Sequence, residues 1–252
     1  MFKRSLLSIV AAIIISAATL LLLTSLPSRV WENWQPATCI QRGCFCEAAN
    51  TASPIRQMAN TLSSLGFVFS GMLVMARHDR ARRLPFGYAV IFGISSIVTG
   101  VGSAFYHASL TFIGQFFDVL GMFMLATFML VYAFERIWTL RLATTLGLFL
   151  TINLFLGWLQ FTIPDTRRYA FAIVLIIALL FEAFYRKQNK PNITVNPLRF
   201  GVGLLTVAYI IWILDNTRTL CIETSLLQGH AFWHLLGALS VWFLYQYYAS
   251  EK

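Results

Sequence analysis

Eight long apolar runs, separated by short polar breaks, constrain this chain more than any other feature. Each run is close to the roughly 20 residues that an α-helix needs to cross the hydrocarbon core of a bilayer. The runs lie at residues 6–23, 58–75, 86–106, 113–134, 143–161, 169–185, 199–214 and 231–248. Because backbone in hydrocarbon must satisfy its own hydrogen bonds, we interpret them as helices. We predict an all-α, polytopic membrane helix bundle with seven core transmembrane helices and an extra N-terminal hydrophobic helix.

The composition excludes the other broad classes of protein. Hydrophobic types make up 58% of the 252 residues and charged types 12%, whereas soluble domains carry about 45–50% apolar and about 25% charged residues. The low charge and the 22 Phe residues exclude disorder, and four Cys in so long a chain do not make a small disulfide scaffold. The net charge of +9 is therefore a guide to membrane orientation, and we predict no nucleic-acid partner.

Positive charge is concentrated in alternate breaks, and the positive-inside rule places those breaks in the cytoplasm. The residues concerned are Lys3, Arg4, Arg77, Arg80, Arg82, Arg83, Arg186, Lys187, Lys190 and Arg199. Arg167 and Arg168 lie in an opposite break and are outnumbered. Eight crossings would then put both termini inside.

We divide the chain into an N-terminal transmembrane or anchor helix at residues 1–26, a non-cytoplasmic loop with cysteines at 27–57, and a seven-helix domain at 58–252. The first run can also be interpreted as a signal peptide, with Lys3 and Arg4 as its basic start. Its apolar stretch is long for a signal peptide, and residues 24–28 are a poor cleavage site. These two features favour an uncleaved helix.

All four cysteines, Cys39, Cys44, Cys46 and Cys221, fall in predicted outside segments. An even number on the non-cytoplasmic face is typical of disulfides in a periplasm or lumen. Four unpaired thiols are the alternative. The spacing is not that of a zinc knuckle.

Three of the four histidines are predicted to lie at one depth on the outer side. His107 comes at the end of the third run, and His230 and His234 at the start of the last, where their i, i+4 spacing puts them on one helix face. Two His on one helix and a third on another match a three-nitrogen zinc set with an open fourth position. The alternative is that these side chains only bridge helices by hydrogen bonds. His78 is interpreted as a solvated loop residue.

Two more polar residues fall near these histidines. Ser103 precedes His107 by one helical turn, and Asp118 lies near the outer end of the next run. An ionisable group within a span is costly and marks a functional site or a buried pair. Asp118 can orient a histidine ligand or accept a proton from water, and Ser103 can donate a hydrogen bond to an oxyanion. Glu182 and Arg186, also one turn apart, predict an ion pair near the headgroups.

This set of residues resembles the motifs of the alkaline ceramidases, which belong to a wider group of seven-helix membrane hydrolases with adiponectin-receptor-like and GPI-remodelling proteins. Residues 103–107 (SAFYH), Asp118 and residues 230–234 (HAFWH) resemble the family's SxxxH, D and HxxxH motifs in the same order. Residues 102–110 (GSAFYHASL) are similar to its G-S-x-x-F-H-A-T-L. Further similar elements are Cys46-Glu47, residues 60–63 (NTLS) and Asp215-Asn216 before Cys221. The resemblance runs from about Cys46 to residue 252.

The resemblance implies a zinc-dependent intramembrane amidohydrolase that cleaves the N-acyl bond of ceramide-like lipids to a fatty acid and a sphingoid base. It implies that His107, His230 and His234 bind zinc and that Ser103 and Asp118 are catalytic. Residues 58–252 would form the ceramidase-like domain.

The same resemblance implies a disulfide between Cys46 and Cys221, and parity then leaves Cys39 and Cys44 as a second possible pair. The family's outer calcium site matches this chain poorly. Cys44-Phe45 stands in place of Asp-Trp, the Asn is one position late at Asn50, and Gln57 stands in place of a Glu. Only Glu47 matches among the acidic ligands, so calcium dependence is doubtful for this chain.

The predicted partner is a membrane lipid substrate, and the sequence does not indicate an oligomeric state. The site would face the non-cytoplasmic side of a bacterial inner membrane or of the ER or Golgi. Two alternatives remain open: a zinc hydrolase of another acyl lipid, and a non-catalytic, zinc-stabilised membrane receptor or transport protein.

Overall fold

A computed structural model describes residues 2–77 and 84–252 of the chain. His78, Arg80, Arg82 and Arg83, which the sequence assigns to a cytoplasmic break, lie outside the described residues. Within the described part the long regular elements are all helices, and the one β-type contact is an isolated bridge between Pro36 and Thr111. The predicted all-α class is confirmed.

Nine α-helices follow one another along the described chain. They are α1 (Phe2–Thr24), α2 (Met58–Ser64), α3 (Gly66–Ala76), α4 (Phe86–Ser109), α5 (Phe112–Trp138), α6 (Leu142–Thr162), α7 (Arg167–Asn189), α8 (Asn196–Asn216) and α9 (Gly229–Ala249). Each predicted run corresponds to one helix, except that the second run is interrupted at Leu65 and forms α2 and α3.

Seven segments of the described chain are long and apolar enough to cross a membrane, with α2 and α3 together as one of them. This supports the predicted multi-pass bundle. The exception is α9, which has 21 residues and carries His230, His234 and Gln246 but is not among these seven segments. It packs against α2, α3 and α8. The long helix that falls outside these seven segments is thus the one that carries two of the candidate metal ligands.

The helices form a ring around a central cavity. In one direction round the ring, the segment formed by α2 and α3 contacts α4, α4 contacts α5, and α5 contacts α7. In the other direction, α3 contacts α9, and α9 contacts α8. Helices α1 and α6 pack outside, against α3 and α5 respectively. The α7 and α8 backbones leave an opening in the ring, since no Cα atom of one helix lies within 8 Å of a Cα atom of the other. Side chains bridge this opening at its outer end, where the Arg168 guanidinium lies 6.0 Å from the centre of the Trp212 ring.

Helices α4 and α5 pack closely against each other beside the candidate site. A Cβ atom added at Gly102 would lie 2.7 Å from the carbonyl oxygen of Phe117 and 3.2 Å from the amide nitrogen of Asp118. Such contacts leave no room for a side chain at residue 102. The glycine therefore allows the backbone of Asp118 to pack directly beside Ser103.

The opposite end of the bundle holds a buried ionic cluster. Arg136 of α5 pairs with Glu182 of α7 and, at 3.2 Å, with Glu251 just after α9. Tyr247 donates a hydrogen bond to Glu182, and Tyr185 donates one to Glu251. The predicted pairing of Glu182 with Arg186 was wrong, because Glu182 is turned into the bundle, where buried carboxylates require charged partners.

The segment between α1 and α2 folds over the end of the bundle where α4 meets α5. Backbone hydrogen bonds join Arg56 N to Ala108 O and Gln57 N to His107 O, both at 3.0 Å. Disulfides join Cys39 to Cys44 and Cys46 to Cys221, with Cα–Cα distances of 5.0 and 5.4 Å. Both pairings agree with the expectations from the sequence, and the second one ties this segment to the α8–α9 loop.

Replacement of Gly102 by Ala tests the close packing of α4 on α5. We expect thermal unfolding in detergent to show a loss of about 1–3 kcal/mol, because the new methyl group would force the two backbones apart. Gly147→Ala on α6 is the matched control, since a Cβ atom there meets nothing within 4 Å. Wild-type stability in Gly102→Ala would contradict this account of the helix contact.

Candidate functional site

The structure brings His107, His230 and His234 together beside the polar end of the cavity, which His234 lines. All three are buried, and each offers one ring nitrogen within 4.8 Å of the nitrogens offered by the others. His107 belongs to the last turn of α4, while His230 and His234 lie one turn apart at the start of α9. The convergence expected from spacing and topology is present, and it forms a set that can hold a metal ion.

The outward-facing ring nitrogens are oriented by neighbouring polar side chains. His107 Nδ1 lies 2.8 Å from Gln57 Oε1, and His234 Nδ1 lies 2.9 Å from Ser63 Oγ. The inward-facing Nε2 atoms of His107 and His230 are 3.1 Å apart. Metal-binding histidines characteristically donate their other N–H to such a partner, which fixes the ring orientation.

Ser103 and Asp118 lie beside the same cluster. Ser103 Oγ is 3.2 Å from His234 Nε2, and Asp118 lies on the facing helix α5. Both residues line the cavity together with His234. All five residues singled out from the sequence therefore meet at one place.

Asp215 at the end of α8 has a role that the sequence did not predict. Its Oδ1 accepts a hydrogen bond from Cys46 N and its Oδ2 one from His230 N, both at 3.0 Å. A carboxylate at the N-terminus of α9 also stabilises the positive end of the helix dipole. Asp215 thus holds the first turn of α9, and with it His230, against the disulfide-bonded segment between α1 and α2. This segment, residues 25–57, is called the outer loop below.

Phe45 covers the histidine cluster from the outer side. Its ring stacks on that of His230, with centroids 3.7 Å apart, and it also contacts His107. The His230 Nδ1 atom has no hydrogen-bond partner among the described residues, so this ring is held by stacking. The position of Phe45 between two disulfide-bonded cysteines gave no functional signal in the sequence.

Gln57 and Ser63 were also missed as functional side chains. Each is a polar residue at or near the start of an apolar run, and this position is the only feature of the sequence that could have indicated a role in the site. Their roles depend on which helix ends meet at this end of the bundle. The spacing of residues within one helix does not reveal which other helix ends lie beside it.

Glu47 and Gln57, which the sequence resemblance compared with calcium ligands, are both engaged in hydrogen bonds within the protein. The two carboxylate oxygens of Glu47 accept from Ala59 N at 2.7 Å and Asn60 N at 2.9 Å, which caps α2. Burial raises the pKa of the Glu47 carboxyl, and these backbone bonds counteract the rise. Gln57 Oε1 faces His107 and is directed away from the loop.

The cavity that leads away from the histidines is apolar along most of its length. The space between its lining side chains, including the part that is open to the surroundings, is about 590 Å³. Ser103, Asp118 and His234 form its polar end, whereas side chains such as Leu125, Met129, Leu175, Leu205 and Val241 form the rest. Leu175 belongs to α7 and Leu205 to α8, so the cavity reaches the opening between these two helices.

Comparison with known proteins agrees with this geometry. A family model described as ceramidase matches residues 44–251. The chain is 27% identical over 215 residues to an alkaline ceramidase of Caenorhabditis elegans, covering 78% of this chain and 76% of the relative. It is 26% identical over 238 residues to a Dictyostelium discoideum protein provisionally named as an alkaline ceramidase, covering 79% and 82% of the two chains. The chain belongs to the ceramidase family and is a hydrolase.

Proposed function

We propose that this protein is a zinc-dependent amidohydrolase that cleaves the N-acyl bond of ceramide-like lipids within the membrane. The observation that carries the proposal is the convergence of three buried histidines and a Ser–Asp pair on one end of an apolar cavity. The names of the relatives support ceramide as the substrate class. A fatty acid and a sphingoid base are the products of this cleavage.

The donor set fits zinc. A tetrahedral zinc ion with Zn–N distances of about 2.0–2.1 Å holds its nitrogens roughly 3.3–3.4 Å apart, close to the 3.1 Å between His107 Nε2 and His230 Nε2. His234 would be the third ligand. Three histidines leave a fourth position for water or substrate. Zinc bound there would supply a water of lowered pKa, about 7, and a positive charge close to the amide carbonyl oxygen.

Ser103 and Asp118 supply the remaining chemistry. The Asp118 carboxylate lines the cavity and can take a proton from the attacking water and deliver it to the leaving amine as general acid–base. The Ser103 hydroxyl, 3.2 Å from His234 Nε2, lies next to the proposed metal position and can donate a hydrogen bond to the developing oxyanion.

The shape of the ring supports a lipid substrate. An amide placed at the polar end would leave the hydrocarbon chains along the apolar part of the cavity, where burial of each CH₂ contributes about 0.8 kcal/mol. The opening between α7 and α8 would let these chains enter from the bilayer without crossing water. A soluble active site with an aqueous entrance offers no such route.

The orientation follows from the disulfides and the charge distribution. Cys39–Cys44 and Cys46–Cys221 lie at the same end of the bundle as the histidines, and disulfides persist in oxidising compartments. We therefore assign the site to the non-cytoplasmic face of the membrane. The basic residues of the opposite breaks agree with this assignment.

Two substitutions separate metal binding from catalysis. In His230→Ala we expect both the zinc content, measured by elemental analysis, and fatty-acid release from a labelled ceramide to be lost, since a ligand is removed. In Asp118→Asn we expect zinc to be retained while turnover falls about 10²–10⁴-fold, because the general base is removed but the metal ligands are not.

The outcome that would contradict the proposal is full turnover in His230→Ala, or a purified wild-type protein that binds no zinc. Stoichiometric zinc without fatty-acid release from any lipid would instead favour a receptor or transport protein. Ester-linked lipids tested beside ceramide would reveal a hydrolase with a different acyl substrate.

A bulky side chain in the cavity tests the path of the acyl chain. In Leu205→Trp we expect kcat/KM for long-chain ceramide to fall much more than kcat/KM for a short-chain analogue, because the indole would occupy the space at the α7–α8 opening. Val207→Trp is the matched control, since Val207 lies on the same helix and is exposed on the outside. Equal effects on long and short substrates would contradict this path.

A further inference from the structure

We propose that Gln57 is a positioning residue whose single side-chain amide directs His107 Nε2 toward the metal position and couples it to the disulfide-bonded outer loop. The proposal rests on the proposed zinc site and concerns how the protein prepares one of its ligands. Gln57 itself contacts neither the metal position nor the cavity.

Two backbone carbonyls determine which way the Gln57 amide points. Gln57 Nε2 donates to Cys44 O at 2.7 Å and to Glu47 O at 2.8 Å. Because carbonyl oxygens only accept hydrogen bonds, the NH₂ group must face them, and Oε1 must face the other way. The side chain is 1% exposed, so water does not compete for these bonds.

The amide orientation in turn determines the tautomer of His107. Gln57 Oε1 lies 2.8 Å from His107 Nδ1 and can only accept, so Nδ1 carries the proton. In a neutral imidazole the other nitrogen then has a free lone pair. That nitrogen is Nε2, the atom 3.1 Å from His230 Nε2 and directed at the proposed metal position. The opposite tautomer would present an N–H group there and could not bind a cation.

The main chain of Gln57 reinforces the same contact. Gln57 N donates to His107 O at 3.0 Å, so the residue is bonded to both the backbone and the ring of His107. The two carbonyls that it binds lie on either side of Cys46 in the sequence, and Cys46 is disulfide-bonded to Cys221. One planar group therefore joins the outer loop to a metal ligand on α4.

A carboxylate at position 57 could serve only half of this role. Glu can accept from His107 Nδ1, but it has no N–H group for the carbonyls of Cys44 and Glu47. Leu can do neither. The two substitutions therefore separate the donor half of the amide, which holds the loop, from the acceptor half, which orients the ligand.

The experiment measures zinc affinity by chelator competition on purified full-length protein, together with the absorption spectrum of the cobalt-substituted protein and the thermal unfolding temperature. Gln57→Leu is expected to bind zinc about 10–100-fold more weakly than wild type, the usual effect of removing a partner behind a ligand, and to have an altered cobalt spectrum. Gln57→Glu is expected to keep at least the wild-type affinity while unfolding at a lower temperature.

Gln160→Leu is the matched control. Gln160 is a buried glutamine on α6, outside the ring, and its amide has no hydrogen-bond partner among the described residues. We expect its replacement by Leu to leave zinc affinity and the cobalt spectrum unchanged. A loss of affinity in this control equal to that in Gln57→Leu would overturn the positioning role.

The proposal also fails if Gln57→Leu binds zinc with wild-type affinity and spectrum, or if Gln57→Glu loses as much affinity as Gln57→Leu. If Gln57→Leu does not fold, Gln57→Glu decides alone through its affinity relative to wild type. A wild-type protein without zinc affinity would instead refute the proposed function, so the two failures are distinguishable.

Discussion

The Asp215 carboxylate is the interaction on which the arrangement of the site depends. It accepts hydrogen bonds from Cys46 N in the outer loop and from His230 N in the first turn of α9. Hydrogen bonds to a charged acceptor contribute about 1.5–3 kcal/mol each in proteins. These two bonds join the end of α8, the start of α9 and the outer loop at a single carboxylate. The Cys46–Cys221 disulfide links the outer loop to the α8–α9 loop covalently at the same place.

Two polar assemblies lie at opposite ends of an otherwise apolar bundle. At one end, Ser103, Asp118 and His234 line the cavity, His107 and His230 lie beside them, and Gln57 and Ser63 contact the outer ring nitrogens of His107 and His234. At the other end, Arg136 pairs with both Glu182 and Glu251 and joins α5, α7 and the residues after α9. Buried charges need partners of this kind. The apolar cavity between the two ends is then available to hydrocarbon chains, as the proposed function requires.

Much of the fold could be predicted because a membrane-spanning helix has a strong sequence signal. The eight runs became helices with ends shifted by a few residues, and the break at Leu65 was missed because it falls inside an apolar run. Five site residues could be found because His and Asp are conspicuous in apolar runs, and the three histidines fall at helix ends on the same predicted side. The buried pairing of Glu182 with Arg136 could not be found, because the nearer Arg186 satisfies the local spacing rule and the true partner comes from another helix.

The sequence by itself determined the class of protein, the helices, and the residue types that can hold a metal, since these depend on hydrophobicity and on i, i+4 spacing within one helix. Only the tertiary structure decided that the ring is open between α7 and α8, that Phe45 stacks on His230, and that the Gln57 amide faces His107. These features depend on contacts between segments far apart in the chain. Their geometry is set by which helix ends meet and by the hydrogen-bond partners that buried polar groups find there.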